Sequence, residues 1–144
     1  MARPEPTLAI RSYQESDEDG VVAVWRLAFP GDPQRNEPRA VIRRKLGVGR
    51  ELFLVAVAGD RVVGTVVGGW DGFRGWMNHL AVHPRHRRQG VGRRLVAALE
   101  AALKALGCPK LNLQVRAGNE VVVGFYERLG YAVEERVSMG KLIE

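Results

Sequence analysis

Several features common in secreted, membrane or metal-dependent proteins are missing from this chain. Cys108 is the single cysteine among 144 residues, which rules out an internal disulfide and agrees with a reducing, cytoplasmic location. No apolar run approaches the roughly 20 residues needed to span a bilayer; LVAVAGDRVVGTVV is interrupted by Asp60 and Arg61. The opening MARPEPT has no basic segment followed by an apolar one, the pattern of a secretory leader. Repeats, low-complexity tracts and linker-like stretches are missing too, so one domain over residues 1–144 is expected. His79, His83 and His86 do not form a helical His-Glu-x-x-His pair, and no metal is expected.

The sharpest local absence is of acid. HPRHRRQGVGRRL, residues 83–95, carries five arginines and two histidines and no carboxylate, and it supplies most of the formal net charge of +6. Directly after it comes VAALEAALKAL, a helical pattern. Basic residues at a helix start oppose the partial positive charge of its unpaired N–H groups. A bound compact polyanion would relieve that conflict. The charge is local, no aromatics interleave the arginines, and no helix-turn-helix pattern appears, so nucleic acid is not the expected partner.

Alternation and turn residues give the order of elements. TLAIRSY reads as a strand, and Ser16 is the expected cap of a helix, SDEDGVVAVWRLAF. EPRAVIRRKLG reads as a second helix. ELFLVAVAG and RVVGTVVGGW form a hairpin about Gly59-Asp60, and GWMNHLAV follows the Asp71-Gly72 turn as the third strand of a meander. Val91, Leu95, Leu99, Leu103 and Leu106 share a helical face that ends at Gly107 and Pro109. KLNLQV is a strand, NEVVVGFYERLG a helix, and YAVEERVSMGKLI closes with one or two strands. The crossover from strand 76–82 through helix 90–107 to strand 111–115 predicts a parallel pair. The fold class is therefore α+β, a mixed sheet flanked by about four helices.

Gly90 and Gly92 sit between the strand end and the helix start, where glycine lets a backbone approach a ligand closely. A dinucleotide fingerprint needs a third glycine where Leu95 stands, and Gly-Lys-Ser/Thr is absent. Arg87-Arg88-Gln89-Gly90-Val91-Gly92 instead resembles the Arg/Gln-x-x-Gly-x-Gly/Ala loop of the GNAT family of N-acetyltransferases, placed after a strand reading LAVHP. Asn119-x-x-Val122-x-x-Phe125-Tyr126, followed by Gly130-Tyr131, resembles that family's second signature, with valine where alanine is commoner. GGWDGFRGWMNHLAVHP, CPKLNLQV and FYERLGY are similar to a subgroup of small bacterial acetyltransferases, the YpeA-like proteins.

The resemblance implies a GNAT-like fold, mostly antiparallel with a central splayed parallel strand pair, and acetyl-CoA as cosubstrate. It implies that the backbone of Leu80, Ala81 and Val82 pairs with the pantetheine. The pyrophosphate would rest on the loop of Arg87, Arg88, Gln89, Gly90, Val91, Gly92 and Arg93. Arg85, Arg87, Arg93 and Arg94 are candidates for the 3′-phosphate. Tyr126 takes the role of general acid toward the leaving sulfur, beside Phe125, while Asn119 contacts the pantetheine or caps its helix. Trp25, Asp71, Arg74 and Asn78 are candidates for the acceptor pocket. Asn78 stands where many relatives carry a glutamate, so the proton acceptor is unassigned; His79 next to it reads as a packed or surface residue. The expected activity is direct transfer of acetyl to a primary amine of a small molecule or protein, with a homodimer left open. The rival readings are a non-catalytic acyl-CoA-binding domain and, less favoured, a basic nucleic-acid-binding module.

Overall fold

In the computed structural model, residues 7–143 are described; the first six residues of MARPEPT and the last residue lie outside them. The chain divides into two compact units, residues 1–114 and 115–144.

The first unit is a five-stranded sheet in sequential order: β1 (Leu8–Ser12), β2 (Phe53–Ala58), β3 (Arg61–Trp70), β4 (Gly75–Val82) and β5 (Leu111–Leu113). The first three pairings are antiparallel and β4 with β5 is parallel. Three helices belong to this unit: α1 (Glu18–Ala28), α2 (Pro38–Leu46) and α3 (Val91–Ala105). Alternation sorts the strand side chains between two cores. Phe53, Val55, Val57, Val67 and Ala81 cluster with Val21, Val22, Val24 and Trp25 of α1 and Ile42 of α2. On α3, the buried stripe of Val91, Leu95, Val96, Leu99 and Leu103 lies against β2, β3 and β4.

The α1 start departs from expectation. Ser16 does not cap it; a 3-10 turn over Glu15–Asp17 precedes the helix, and Asp17 is the residue at its N-cap. The cause is Arg11, whose guanidinium donates to both Asp17 carboxylate oxygens at 2.7 and 3.0 Å while the Gln14 N–H donates at 2.8 Å.

The second unit contains α4 (Glu120–Arg128), capped by the Asn119 carboxamide oxygen, which accepts from the Val122 N–H at 3.4 Å. The expected closing strands are not formed. Residues 131–143 carry no regular structure, and Val133, Val137, Met139, Leu142 and Ile143 are exposed. Alternation alone does not make a strand; it needs a ladder of backbone partners and a face to bury, and this segment shows neither.

Candidate active site

The crossover from β4 to β5 shapes the site. The parallel pairing runs only from Gly75 with Leu111 to Met77 with Leu113, although β4 continues to Val82. The ladder ends at Met77 because β5 itself stops at Leu113. At the same point β4 holds one extra residue: Val67 faces Asn78 and Thr65 faces Ala81, so two steps on β3 match three on β4. His79 occupies this bulge with φ of 50°, the left-handed region that non-glycine residues rarely enter.

A buried hydrogen-bond chain holds the bulge. The Trp25 indole N–H donates to the Thr65 hydroxyl at 2.8 Å, and that hydroxyl donates to the His79 carbonyl at 2.9 Å. The His79 imidazole packs on the Trp25 ring at 4.6 Å and edge-on to Phe29 at 5.2 Å between centroids. Burial pushes its pKa below the usual imidazole value, outweighing the opposing charge of Asp32. Alternation alone would turn His79 to the face opposite Asn78; the bulge overrides that, while the reading of His79 as a packed residue holds.

A cavity of about 400 Å³ opens over the imidazole, lined by Trp25, Arg26 and Phe29 of the α1 end, by the loop that includes Asp32 and Glu37, and by His79. Of the acceptor-pocket candidates, Trp25 lines it and Asp71, Arg74 and Asn78 do not. The Asp71 carboxylate closes its own turn, accepting from the Phe73 and Arg74 N–H groups at 2.8 and 3.0 Å. Asn78 is exposed on β4. Sequence did not single out Asp32 or Glu37 for the site, and it gave Phe29 and His79 no catalytic or binding role. Only the polar Thr65 inside an apolar strand hinted at a buried network there.

Beyond β4 the His83 Nδ1 accepts from the Arg85 N–H at 3.1 Å and caps a short 3-10 turn. Arg88 and Gly90 both take left-handed backbone, with φ of 64° and 78°. Gly90 is the N-cap of α3; no side chain caps this helix, and no acid occupies its first turn. The first intrahelical bond is Arg94 N–H to Gly90 C=O at 3.0 Å, so the amides of Val91, Gly92 and Arg93 precede it. Arg85, Arg88 and Arg93 are exposed around this turn. Two of the 3′-phosphate candidates are engaged by the protein: Arg94 donates to the Leu8 carbonyl at 3.2 Å and Arg87 to that of Val82 at 3.4 Å. Uncapped amides, a left-handed glycine and exposed guanidiniums fit a polyphosphate.

In the second unit Tyr126 retains only 9% of its exposure. Its ring meets Phe125 at 5.1 Å and Tyr131 at 5.6 Å, both edge-on. Burial pushes the phenol up to about 12, so it is protonated at neutral pH.

A mixed sheet with one short parallel pair, followed across its crossover by an uncapped basic helix start, is compatible with an acyl-CoA-dependent transferase, and comparison with known proteins gives the class. The profile of the acetyltransferase (GNAT) family matches residues 17–131, and the chain belongs to that family. It is an acetyltransferase whose cosubstrate is acetyl-CoA. An acetyltransferase of Yersinia enterocolitica is 42% identical over 134 residues, covering 93% of this chain and 94% of that protein. One of Pectobacterium atrosepticum is 41% identical over 138 residues, covering 95% and 97%. Among solved structures, the aminoglycoside N-acetyltransferase AAC(6')-Iy in complex with CoA shares the fold with a TM-score of 0.81 at 18% identity, covering 99% of this chain and 98% of that one. Ard1 from Thermoplasma volcanium gives 0.78 at 24% identity, over 88% and 84%.

Proposed function

We propose that the protein transfers acetyl from acetyl-CoA directly to a primary amine, of a small molecule or a protein, with both substrates bound at once. The observation that carries this reading is the α3 start: amides of Val91, Gly92 and Arg93 with no capping side chain and no acid, beside exposed arginines. The diphosphate of the cosubstrate rests there, supported by Arg87, Arg88 and Gln89, and the backbone of Leu80–Val82 hydrogen-bonds the pantetheine. When bound, acetyl-CoA supplies an activated acyl group. An N–H of β4 polarises its carbonyl, an effect worth about 3 kcal/mol where such donors have been removed elsewhere. Tyr126 donates a proton to the departing sulfur. Its protonated state at neutral pH suits that role. Asn119 keeps its cap and adds a pantetheine contact.

The acceptor enters the cavity beside Trp25. A solved structure of AAC(6')-Iy holds a bisubstrate analogue joining CoA to an acetylneamine, which supports an amine acceptor of some kind here without naming it. Asn78, unable to take a proton, favours the alternative of an acyl-CoA-binding domain without chemistry. A panel of primary amines with detection of free CoA separates the two. Turnover with at least one amine is expected; cosubstrate binding without turnover on any amine would establish the binding domain. Tyr126→Phe is expected to lower kcat by about 10²-fold while leaving acetyl-CoA affinity nearly unchanged, and an unaltered kcat would remove Tyr126 from the mechanism.

A further inference from the structure

We infer that the His79 imidazole is the catalytic base, accepting the proton of the acceptor ammonium within the cavity that it floors. This rests on the transferase reading above and supplies the group that Asn78 cannot. The geometry has three parts. The β4 bulge turns the imidazole toward the cavity instead of leaving it in the strand's alternation, and the strained φ of 50° is sustained by the Trp25–Thr65–His79 hydrogen-bond chain. Such strain persists where surrounding structure over-determines it, and it concentrates at working sites. Second, His79 directly precedes Leu80–Val82, the segment of β4 proposed to hold the pantetheine, so the base and the cosubstrate are carried by the same strand.

Third, the walls suit a cation that must become neutral. The charged groups lining the cavity are Arg26 from α1, Asp32, whose charge reaches the imidazole, and Glu37, whose carboxylate caps α2 by accepting from the Arg39 and Ala40 N–H groups at 3.2 and 3.0 Å; β3 contributes the neutral Thr65. The negative charge of Asp32 beside the imidazole favours a bound cation. The Trp25 ring is itself covered by Phe53 and His79, so the apolar wall is supplied by Phe29, Pro30 and Pro33; it desolvates an ammonium, which lowers the amine's pKa and eases proton loss. His79, itself held neutral by burial, is available to accept. The imidazole takes one ammonium proton; the nitrogen then forms the C–N bond as the C–S bond breaks. The second proton lost by nitrogen balances the one taken up by sulfur. The imidazolium releases its own to solvent, so the products are amide, CoA thiol and one proton. The acceptor class is a primary ammonium on an apolar or aromatic body small enough for the cavity.

The test is the pH profile of kcat/KM for an amine found active in the panel, in wild type and His79→Asn. Asparagine tolerates left-handed backbone, so the bulge is kept. Wild type is expected to show a plateau between the imidazole midpoint and the amine's pKa near ~10. The variant is expected to lose about 10²-fold or more at neutral pH. Its rate should rise about tenfold per pH unit, tracking the neutral amine alone. The acetyl-CoA-induced thermal shift should survive in the variant. Independently, the His79 imidazole titration followed by NMR in the free protein should have its midpoint below the usual value near ~6.5. An unchanged profile in the variant, a wild-type rate that climbs steadily through this range, or an imidazole charged at neutral pH would each overturn the assignment. Lack of turnover on every amine would instead sink the transferase reading, and this one with it.

Discussion

Thr65 is a fully buried hydroxyl at the centre of β3, and its two hydrogen bonds are the reason an apolar strand tolerates it. Thr65→Val keeps the shape and strands the Trp25 indole N–H. A loss of about 1–3 kcal/mol is expected, read by denaturant unfolding. The same substitution frees the His79 carbonyl, so kcat should fall more than acetyl-CoA affinity. Asp17 is the second buried polar side chain. Burial opposes its ionisation, but hydrogen bonds from Arg11 and the Gln14 N–H outweigh it and hold the carboxyl below its usual range. A carboxyl with a lowered folded pKa stabilises above its unfolded pKa and loses that contribution as pH falls through the folded one. The thermal midpoint should therefore fall below about pH 4, and less so in Asp17→Asn, which starts from a lower midpoint. Neither pairing was visible in sequence, since Arg11 and Asp17 are joined by a 3-10 turn that no local pattern announced.

At the scale of the element, α3 was the most legible part of the chain. Its apolar stripe at 3.6-residue spacing and its glycine borders were plain, and the helix falls over Val91–Ala105 as expected. What it packs on was not. Gly68 in β3 lies so close beneath Leu99 that an added Cβ would overlap the Leu99 Cδ1 methyl. Gly68→Val should cost about 1–3 kcal/mol through overpacking, measured as a lower unfolding midpoint. Gly90 is different, with open space where a Cβ would stand but φ of 78°. Gly90→Ala strains the left-handed cap by about 1–2 kcal/mol. It should appear as weaker acetyl-CoA binding by calorimetry, because the cap aims the α3 amides. The β4 bulge marks the limit of reading by period. A strand pattern predicts alternation, and an extra residue reverses every face beyond it.

For the whole molecule, the decisive observable is linkage to the cosubstrate. Acetyl-CoA at about 100 times its Kd should stabilise the folded chain by about 2.7 kcal/mol, and the shift should shrink with added salt as the arginine–phosphate attraction is screened. A thermal midpoint indifferent to acetyl-CoA would contradict the α3 site. Composition, spacing and two motifs were sufficient for the family, the order of elements as far as α4 and the basic glycine turn before α3, because each is encoded by neighbours in the chain: period, caps, glycine and charge. The closing strands were misread for the converse reason, since pairing depends on a partner that alternation does not supply. The cavity, the strained His79 and the Trp25–Thr65 chain were decided only by the tertiary structure. They join residues 14 to 54 positions apart, and only the folded sheet brings those together.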